Sequence, residues 1–372
     1  MVKENKKTFL ANQPPVEVVL SENPLDEEWD HFVEFEASGQ FEQTSRWAQV
    51  KQDYGWKPFR VLILQNQKIF GGFQILLRSH PLVGKIGYLP KGPLTSNGEE
   101  ELTLLVVKTL KNVLVEENIR FALVQPPNDG SIKKDYLMAE GFKKDPVMKG
   151  INKGTTFIDL TLDLNTILGR MTKKVRQRIR QGERNEIKVR EGTREDIPSF
   201  FQLMLSTCQR QGVMPNPSSE DFFKIMWDIL SSNKNIKLFI AEHDGEIVSG
   251  LLNIPFGKVV YAYKLGWSGK FETMRPNHVL HWDAIKWAKS AGYISFDFVG
   301  IEWNTAEAIL EGKHFYEVAK GPTLFKLGFG GEVKLLPEAW YFIKNPFLEL
   351  IYLLVYPYIR KRKALHKGMF VG

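Results

Sequence analysis

The side chains best suited to chemistry in this sequence are lysines, arginines and tyrosines, because the usual nucleophile and metal sets are missing. A single cysteine, Cys208, excludes a disulfide framework and a multi-thiolate zinc site. No group of histidines and carboxylates has the spacing of metal ligands. Residues 170–190 instead hold nine Lys or Arg against two Glu. That run predicts a helix whose charges suit phosphates, or else a solvated charged linker. It carries no interleaved aromatics, which argues against sequence-specific reading of RNA bases. Lys51 lies one position beyond the apolar pair Trp47 and Val50 in a short helix, where a solvated lysine is the plain expectation. Tyr261 and Tyr263 share one face of a strand, a spacing used for cross-strand packing. Lys326 follows Phe325 at what reads as the end of an apolar strand.

These residues need a frame. The chain has 372 residues and a mass of 42.8 kDa, with 43% apolar and 12% aromatic residues, enough for two cores. The net charge of +7 leans toward polyanions or an anionic membrane surface. In the first half a helix is expected over 26–37, a short helix ending at Gly55, and a hairpin turning at 65–67. A strand, a helix over 99–118, a second strand stopped by Pro126 and a closing helix follow. The second half repeats this order: two helices, a three-strand meander turning at Asp244–Gly245 and Phe256–Gly257, a helix and a strand. The pattern predicts an internally duplicated α/β unit with mixed sheets flanked by helices. The expected boundaries are 16–150 for the first domain, 151–336 for the second and 337–372 for a C-terminal apolar and basic tail.

The segment around residues 273–293 resembles the cofactor-binding core of the GNAT acetyltransferases, where a glycine loop at a helix N-terminus cradles the acetyl-CoA pyrophosphate. Here that loop reads Arg275, Pro276, Asn277, His278 and has no glycine. Acetyl-CoA is therefore not the expected donor. From about residue 40 to 332 the chain resembles the Fem (FemABX) peptidyltransferases. The likeness rests on Gln43-Thr44 with Trp47-Ala48-Gln49-Val50-Lys51, Tyr88 with Lys91-Gly92-Pro93, and residues 172–176. It continues through Tyr261-Ala262-Tyr263, Asp297 with Gly300-Ile301, and Leu324-Phe325-Lys326.

The resemblance implies two tandem GNAT-like domains and transfer of an amino acid from aminoacyl-tRNA to the stem peptide of a peptidoglycan precursor, lipid-linked or nucleotide-linked. It implies that Phe325 and Lys326 sit at the acyl-transfer site, where Lys326 would stabilise charge on the attacked carbonyl. Lys51, Tyr263, Tyr261 and Arg210 are the substrate-binding candidates. No metal and no cofactor beyond the aminoacyl-tRNA co-substrate is expected. Two family residues that help hold precursor phosphates correspond to the neighbourhood of Asn216 and Phe222, and a carboxylate proposed elsewhere as a base falls near Pro126, so no base is assigned. No coiled-coil arm fits between residues 221 and 240. Alternative functions are a GNAT-like N-acyltransferase using another thioester donor on another envelope substrate, and a non-catalytic binding relative. Residues 1–15 show no secretory signal, so the expected location is the cytosol. The apolar run 346–359 is too short to span about 30 Å of hydrocarbon, and Arg360, Lys361, Arg362 and Lys363 follow it. An interfacial anchor on the inner face of the membrane is expected, the alternative being a helix packed on the second domain.

Overall fold

The computed structural model describes residues 6–8, 15–36, 38–96, 99–146 and 153–357. The first stretch of chain forms β1 (Lys6–Thr8), β2 (Val16–Ser21), α1 (Glu27–Phe35), α2 (Ser45–Gln52), β3 (Lys57–Gln65), β4 (Lys68–His80) and β5 (Gly84–Leu89). It continues with β6 (Leu94–Thr95), α3 (Glu100–Glu116), β7 (Phe121–Val124), α4 (Lys134–Ala139) and β8 (Lys143–Lys144). Short polar side chains start the helices: Asp26 accepts from Trp29 N, and Thr44 from Trp47 N. The β3–β4 hairpin turns at Asn66 and Gln67, which both take the positive φ (51° and 62°) that a tight two-residue loop demands. The apolar stripe of α3, Val106, Val107, Leu110 and Leu114, lies on the sheet as its periodicity predicts.

The next stretch forms β9 (Lys153–Asp159), α5 (Leu164–Arg170), α6 (Lys173–Arg184), β10 (Lys188–Glu191), α7 (Ile197–Gln211), α8 (Glu220–Leu230), β11 (Lys237–His243), β12 (Glu246–Phe256) and β13 (Val259–Trp267). After these come α9 (Pro276–Ser290), β14 (Ser295–Asp297), β15 (Ile301–Glu302), α10 (Trp303–Leu310), α11 (Phe315–Val318), α12 (Gly321–Leu327) and β16 (Glu332–Leu335). The sheet runs β10-β11-β12-β13-β14-β9-β15, with β16 on β9. The β13–β14 pair is parallel and the rest antiparallel. The aromatic and aliphatic side of α9 (Val279, Leu280, Trp282, Ile285) fills the core on one face, and α7 packs against β12 and β13. Among the described residues α7 and α8 are joined by a short loop, with no helical arm.

The chain ends with β17 (Trp340–Phe342) and α13 (Pro346–Leu354). Here the structure corrects the expected tail. β17 pairs antiparallel with β7 and β8, so the two units are Met1–Asn152 with Leu336–Gly372, and Lys153–Leu335. The reason is apolar: Trp340 and Phe342 are buried in the first core, the latter against Phe142. The first sheet therefore runs β1-β2-β3-β4-β5-β7-β17-β8, with β6 on β4 and a parallel β5–β7 pair. Each unit keeps the predicted order of helices, meander, helix and strand, and the fold is a tandem α/β repeat with two mixed sheets.

Candidate active site

In the second unit the site grows out of a parting of strands. β13 and β14 pair only over Val259–Tyr261 and Ser295–Asp297, with Tyr261 opposite Asp297. Beyond that point β14 ends in a sharp turn in which Val299 (φ 49°) and Gly300 (φ 66°) are both left-handed. A β-branched residue there is strained, an arrangement common at functional sites and costing about 1–3 kcal/mol. The turn is held by Asp297, which accepts from Val299 N at 2.7 Å and from the Thr155 hydroxyl. It presents two carbonyls, and the Lys326 ammonium donates to both, Gly300 O at 2.8 Å and Val299 O.

Lys326 is not on a strand, as its sequence context predicts, but near the end of helix α12. Pro322 in the first helical turn favours this, since its fixed φ suits a helix and its missing N–H costs nothing there. Burial, slightly offset by Asp297 and reinforced by Lys153 and Lys264, pushes the Lys326 ammonium down to about 8. Phe325 faces the other way, edge-on to His278 and His281 with ring centroids 5.0 Å away in each case. Burial holds those histidines neutral, near 3 and 4, and His281 Nδ1–H donates to Asn277 O at 2.7 Å. They are packing and orienting groups around α12.

Tyr261 and Tyr263 are brought to this region, but not as a simple pair. The β12–β13 register slips between Leu252 and Asn253, whose partners are Lys264 and Ala262. Tyr263 is thus the extra residue of a β-bulge, a device that re-aims side chains. Residues opposite one another share a face, so Lys264 (opposite Leu252) and Tyr261 (opposite Ile254) lie on the same side. The Lys264 ammonium stands 5.2 Å from the Tyr263 ring centroid. Sequence reasoning missed Lys264; the available signal was a lone lysine inside an apolar strand. Arg210 lies at the far end of β13 and is engaged there, donating to Trp267 O at 2.6 Å and stacking 4.6 Å from its ring. It ties α7 to β13 there.

The cationic run is helix α6. Val175, Ile179 and Gly182 point inward, and an added Cβ at Gly182 would come within 2.4 Å of Val279, so glycine allows the close approach of α9. Lys173, Lys174, Arg180 and Arg184 point outward, with no hydrogen bond or ion pair to any described residue. Arg178 reaches His278 Nε2 at 3.5 Å beside the first turn of α9. That turn is occupied by its own side chains: Arg275 is left-handed, Pro276 lacks an N–H, and Asn277 accepts from Ser249 Oγ at 2.5 Å. Phe222, near one of the family phosphate positions, is fully buried.

In the first unit Lys51 is buried, not solvated, with its ammonium 5.1 Å from the Trp47 ring centroid. The C-terminal ends of the parallel strands β5 and β7 carry Tyr88 and the Gln125–Pro126 step, and the Tyr88 hydroxyl donates to Gln125 Oε1. Burial, and after it the Glu42 charge, raises Tyr88 well above the usual phenol range. Lys91 donates to Asn128 Oδ1 at 2.6 Å. Gln43 serves the frame: fully buried, it accepts from Gln74 N at 2.8 Å and donates to the Gln74 and Pro90 carbonyls. Among the described residues no group of three or more His, Cys, Asp or Glu could hold a metal.

Two mixed sheets, each with one parallel pair of strands, define the class, a tandem GNAT-like α/β protein. Residues 169–307 match the acetyltransferase (GNAT) domain family and residues 25–153 the FemAB family. The chain is thus similar to the FemAB family over its first part and to the GNAT acetyltransferases over its second. A lipid II:glycine glycyltransferase of Staphylococcus aureus (strain MRSA252) is 22% identical over 258 residues, covering 67% of this chain and 61% of that protein. The alignment thus spans about three fifths of that relative's length. The crystal structure of FemX superposes with a TM-score of 0.76 at 18% identity, over 94% of this chain and 99% of that one. A tandem GNAT protein from the clavulanic acid biosynthesis pathway gives 0.53 at 9% identity, over 89% and 99%.

Proposed function

We propose that the protein transfers an aminoacyl group from aminoacyl-tRNA to an amine on the stem peptide of a lipid-linked peptidoglycan precursor. The observation that carries this reading is the Lys326 ammonium. Two of its three N–H bonds are fixed on Val299 O and Gly300 O, leaving the third for a ligand. In the reaction the acceptor nitrogen attacks the ester carbonyl carbon and forms the C–N bond. Negative charge gathers on the carbonyl oxygen, where Lys326 donates. The ester C–O bond then breaks, and the ribose hydroxyl leaves with the proton the amine has lost. No protein base is needed if the amine arrives neutral, and Lys153, Lys264 and Lys326, all felt in one electrostatic neighbourhood with Asp297, disfavour a further ammonium. The rate then comes from positioning and charge stabilisation.

The outward cations of α6, with Arg178 beside α9, suit the phosphates of the tRNA. Lys51 and Tyr88 suit the precursor. A lipid-linked form of that precursor is favoured by the withdrawal of Phe222 into the core and by α13. Glu349 of α13 accepts from Lys143 (2.7 Å) and from Tyr341 (2.7 Å), and Tyr352 donates to Asp145. The opposite side exposes Phe347, Leu350, Ile351, Leu354 and Val355, an i, i+3, i+4, i+7, i+8 apolar face suited to a membrane interface. The basic residues Arg360 to Lys363 that the sequence places next lie outside the described residues. No helix among the described residues is long and apolar enough to cross a membrane.

The test is a transfer assay with the full chain, charged tRNA, and lipid-linked or nucleotide-linked precursor, with products read by mass. One or more aminoacyl additions to the lipid-linked form support the reading. Acetyl transfer from acetyl-CoA with none from charged tRNA would replace it with the GNAT N-acyltransferase alternative.

A further inference from the structure

Lys264 presents a problem that the framework leaves unsolved. Its side chain is half-buried and burial holds its ammonium below the ordinary lysine range, yet it makes no hydrogen bond or ion pair with any described residue, only the 5.2 Å approach to the Tyr263 ring. Its ionisable neighbours are Cys208, whose thiol burial pushes up and so keeps neutral, and Lys326, a like charge. Asp297 is committed to Thr155 and the Val299 turn. Burying an unpaired ammonium is costly, by several kcal/mol as an order of magnitude. The cost is met when a ligand brings the counter-charge.

We propose that Lys264 binds a carboxylate of the acceptor peptide beside the acyl-transfer centre. This rests on the reading that the acceptor is a peptide amine. Two features choose a carboxylate over an RNA phosphate. The α6 and α9 cations, several and mostly exposed, suit a polyanionic backbone, and α9 covers the sheet face that Ala262 and Leu265 occupy. Lys264 lies on the opposite face with Tyr261. It is also single and poorly hydrated, a match for one compact carboxylate. With that carboxylate on Lys264, the attacking amine of the same peptide is held at a fixed distance from Lys326. Lys264 is thus a specificity residue.

The experiment pairs Lys264→Met, which keeps the chain length without the charge, and Lys264→Arg with stem-peptide acceptors whose carboxylates are free or individually amidated. Peptide binding to the full chain is measured by calorimetry, apart from transfer. For the wild type, amidating one carboxylate should weaken binding about tenfold or more. Lys264→Met should lose the same factor on the free acid and nothing further on that amide, while Lys264→Arg recovers part of the affinity. The inference is overturned if Lys264→Met binds free-acid and amidated peptides with equal losses, or if only the apparent affinity for charged tRNA changes. Should the wild type bind the peptide with this carboxylate dependence and yet transfer nothing from charged tRNA, the proposed activity fails while the Lys264 site stands.

Discussion

The Lys326 ammonium is tethered to Gly300 O at 2.8 Å, across a turn that holds Val299 in a left-handed conformation (φ 49°). A flexible four-carbon side chain is thereby fixed by backbone whose own geometry is forced, so that the charge waits where it is used and does not reorganise during the reaction. Replacing Lys326 by Met should lower the single-turnover rate by about 10²-fold to 10³-fold, with the apparent affinity for both substrates little changed. Thermal midpoint and rate are measured together. An unchanged rate would leave Lys326 as a structural tie for the turn.

The same tie fixes a pH dependence. Because burial pushes the Lys326 ammonium down to about 8 from the ordinary lysine value of 10.5, the cation needed for charge stabilisation is lost as pH rises through about 8. Turnover should therefore fall on the alkaline side. The stability contribution moves oppositely: between about 8 and 10.5 the unfolded chain binds the proton that the native chain has released, so raising pH stabilises the fold in that window. Rate and melting temperature measured from pH 7 to 10 should diverge, and Lys326→Arg should flatten the alkaline limb of whatever rate remains. Parallel decline of both would mean that alkaline unfolding, not Lys326, limits the rate.

What the sequence made legible was what is periodic. The stripe of α3, the Asp244–Gly245 turn and the repeated element order all act over neighbouring residues. The site depends on features of longer range or of too little length. Helix α12 has seven residues, about two turns, and the run Leu324-Phe325-Lys326 alternates as a strand would. The bulge at Tyr263 is written in a register between two strands and not in either one, so the sequence alone pairs Tyr263 with Tyr261 and gives Lys264 no role. Lys51 reads as a surface lysine because its helix alone does not show the packing that buries it. The return of β17 to the first sheet requires a partner, β7, from the far side of the second unit in sequence.

The outward face of α6 makes a prediction about salt. Charge-neutral glutamine at Lys174, Arg180 and Arg184 should weaken charged-tRNA binding and reduce the slope of log affinity against log salt by about 0.7–0.9 for each phosphate no longer neutralised. These side chains have no hydrogen-bond or ion-pair partners among the described residues, so the melting temperature should stay within about a degree or two. Filter binding over a salt series reads the slope. A triple variant whose slope equals that of the wild type would move the RNA to another surface.

The exposed face of α13 separates membrane docking from folding. Phe347, Leu350 and Leu354 are 71%, 53% and 59% exposed, so exchanging all three for serine or glutamine removes apolar surface that the fold does not use. Tyr352 and Glu349, which secure the helix to Asp145, Lys143 and Tyr341, are left intact. The triple variant should keep its thermal midpoint, lose cosedimentation with anionic vesicles at low salt, and transfer more slowly to lipid-linked precursor in bilayers while sparing a short soluble analogue. Tyr352→Phe is the contrasting case: it strips the buried Asp145 carboxylate of a donor, and stability should fall by about 1–3 kcal/mol, with vesicle binding reduced only as far as the fold is. If the triple variant still sediments with vesicles, or the intact chain never does, α13 is a helix that merely closes the first unit and the lipid-linked precursor is reached without it.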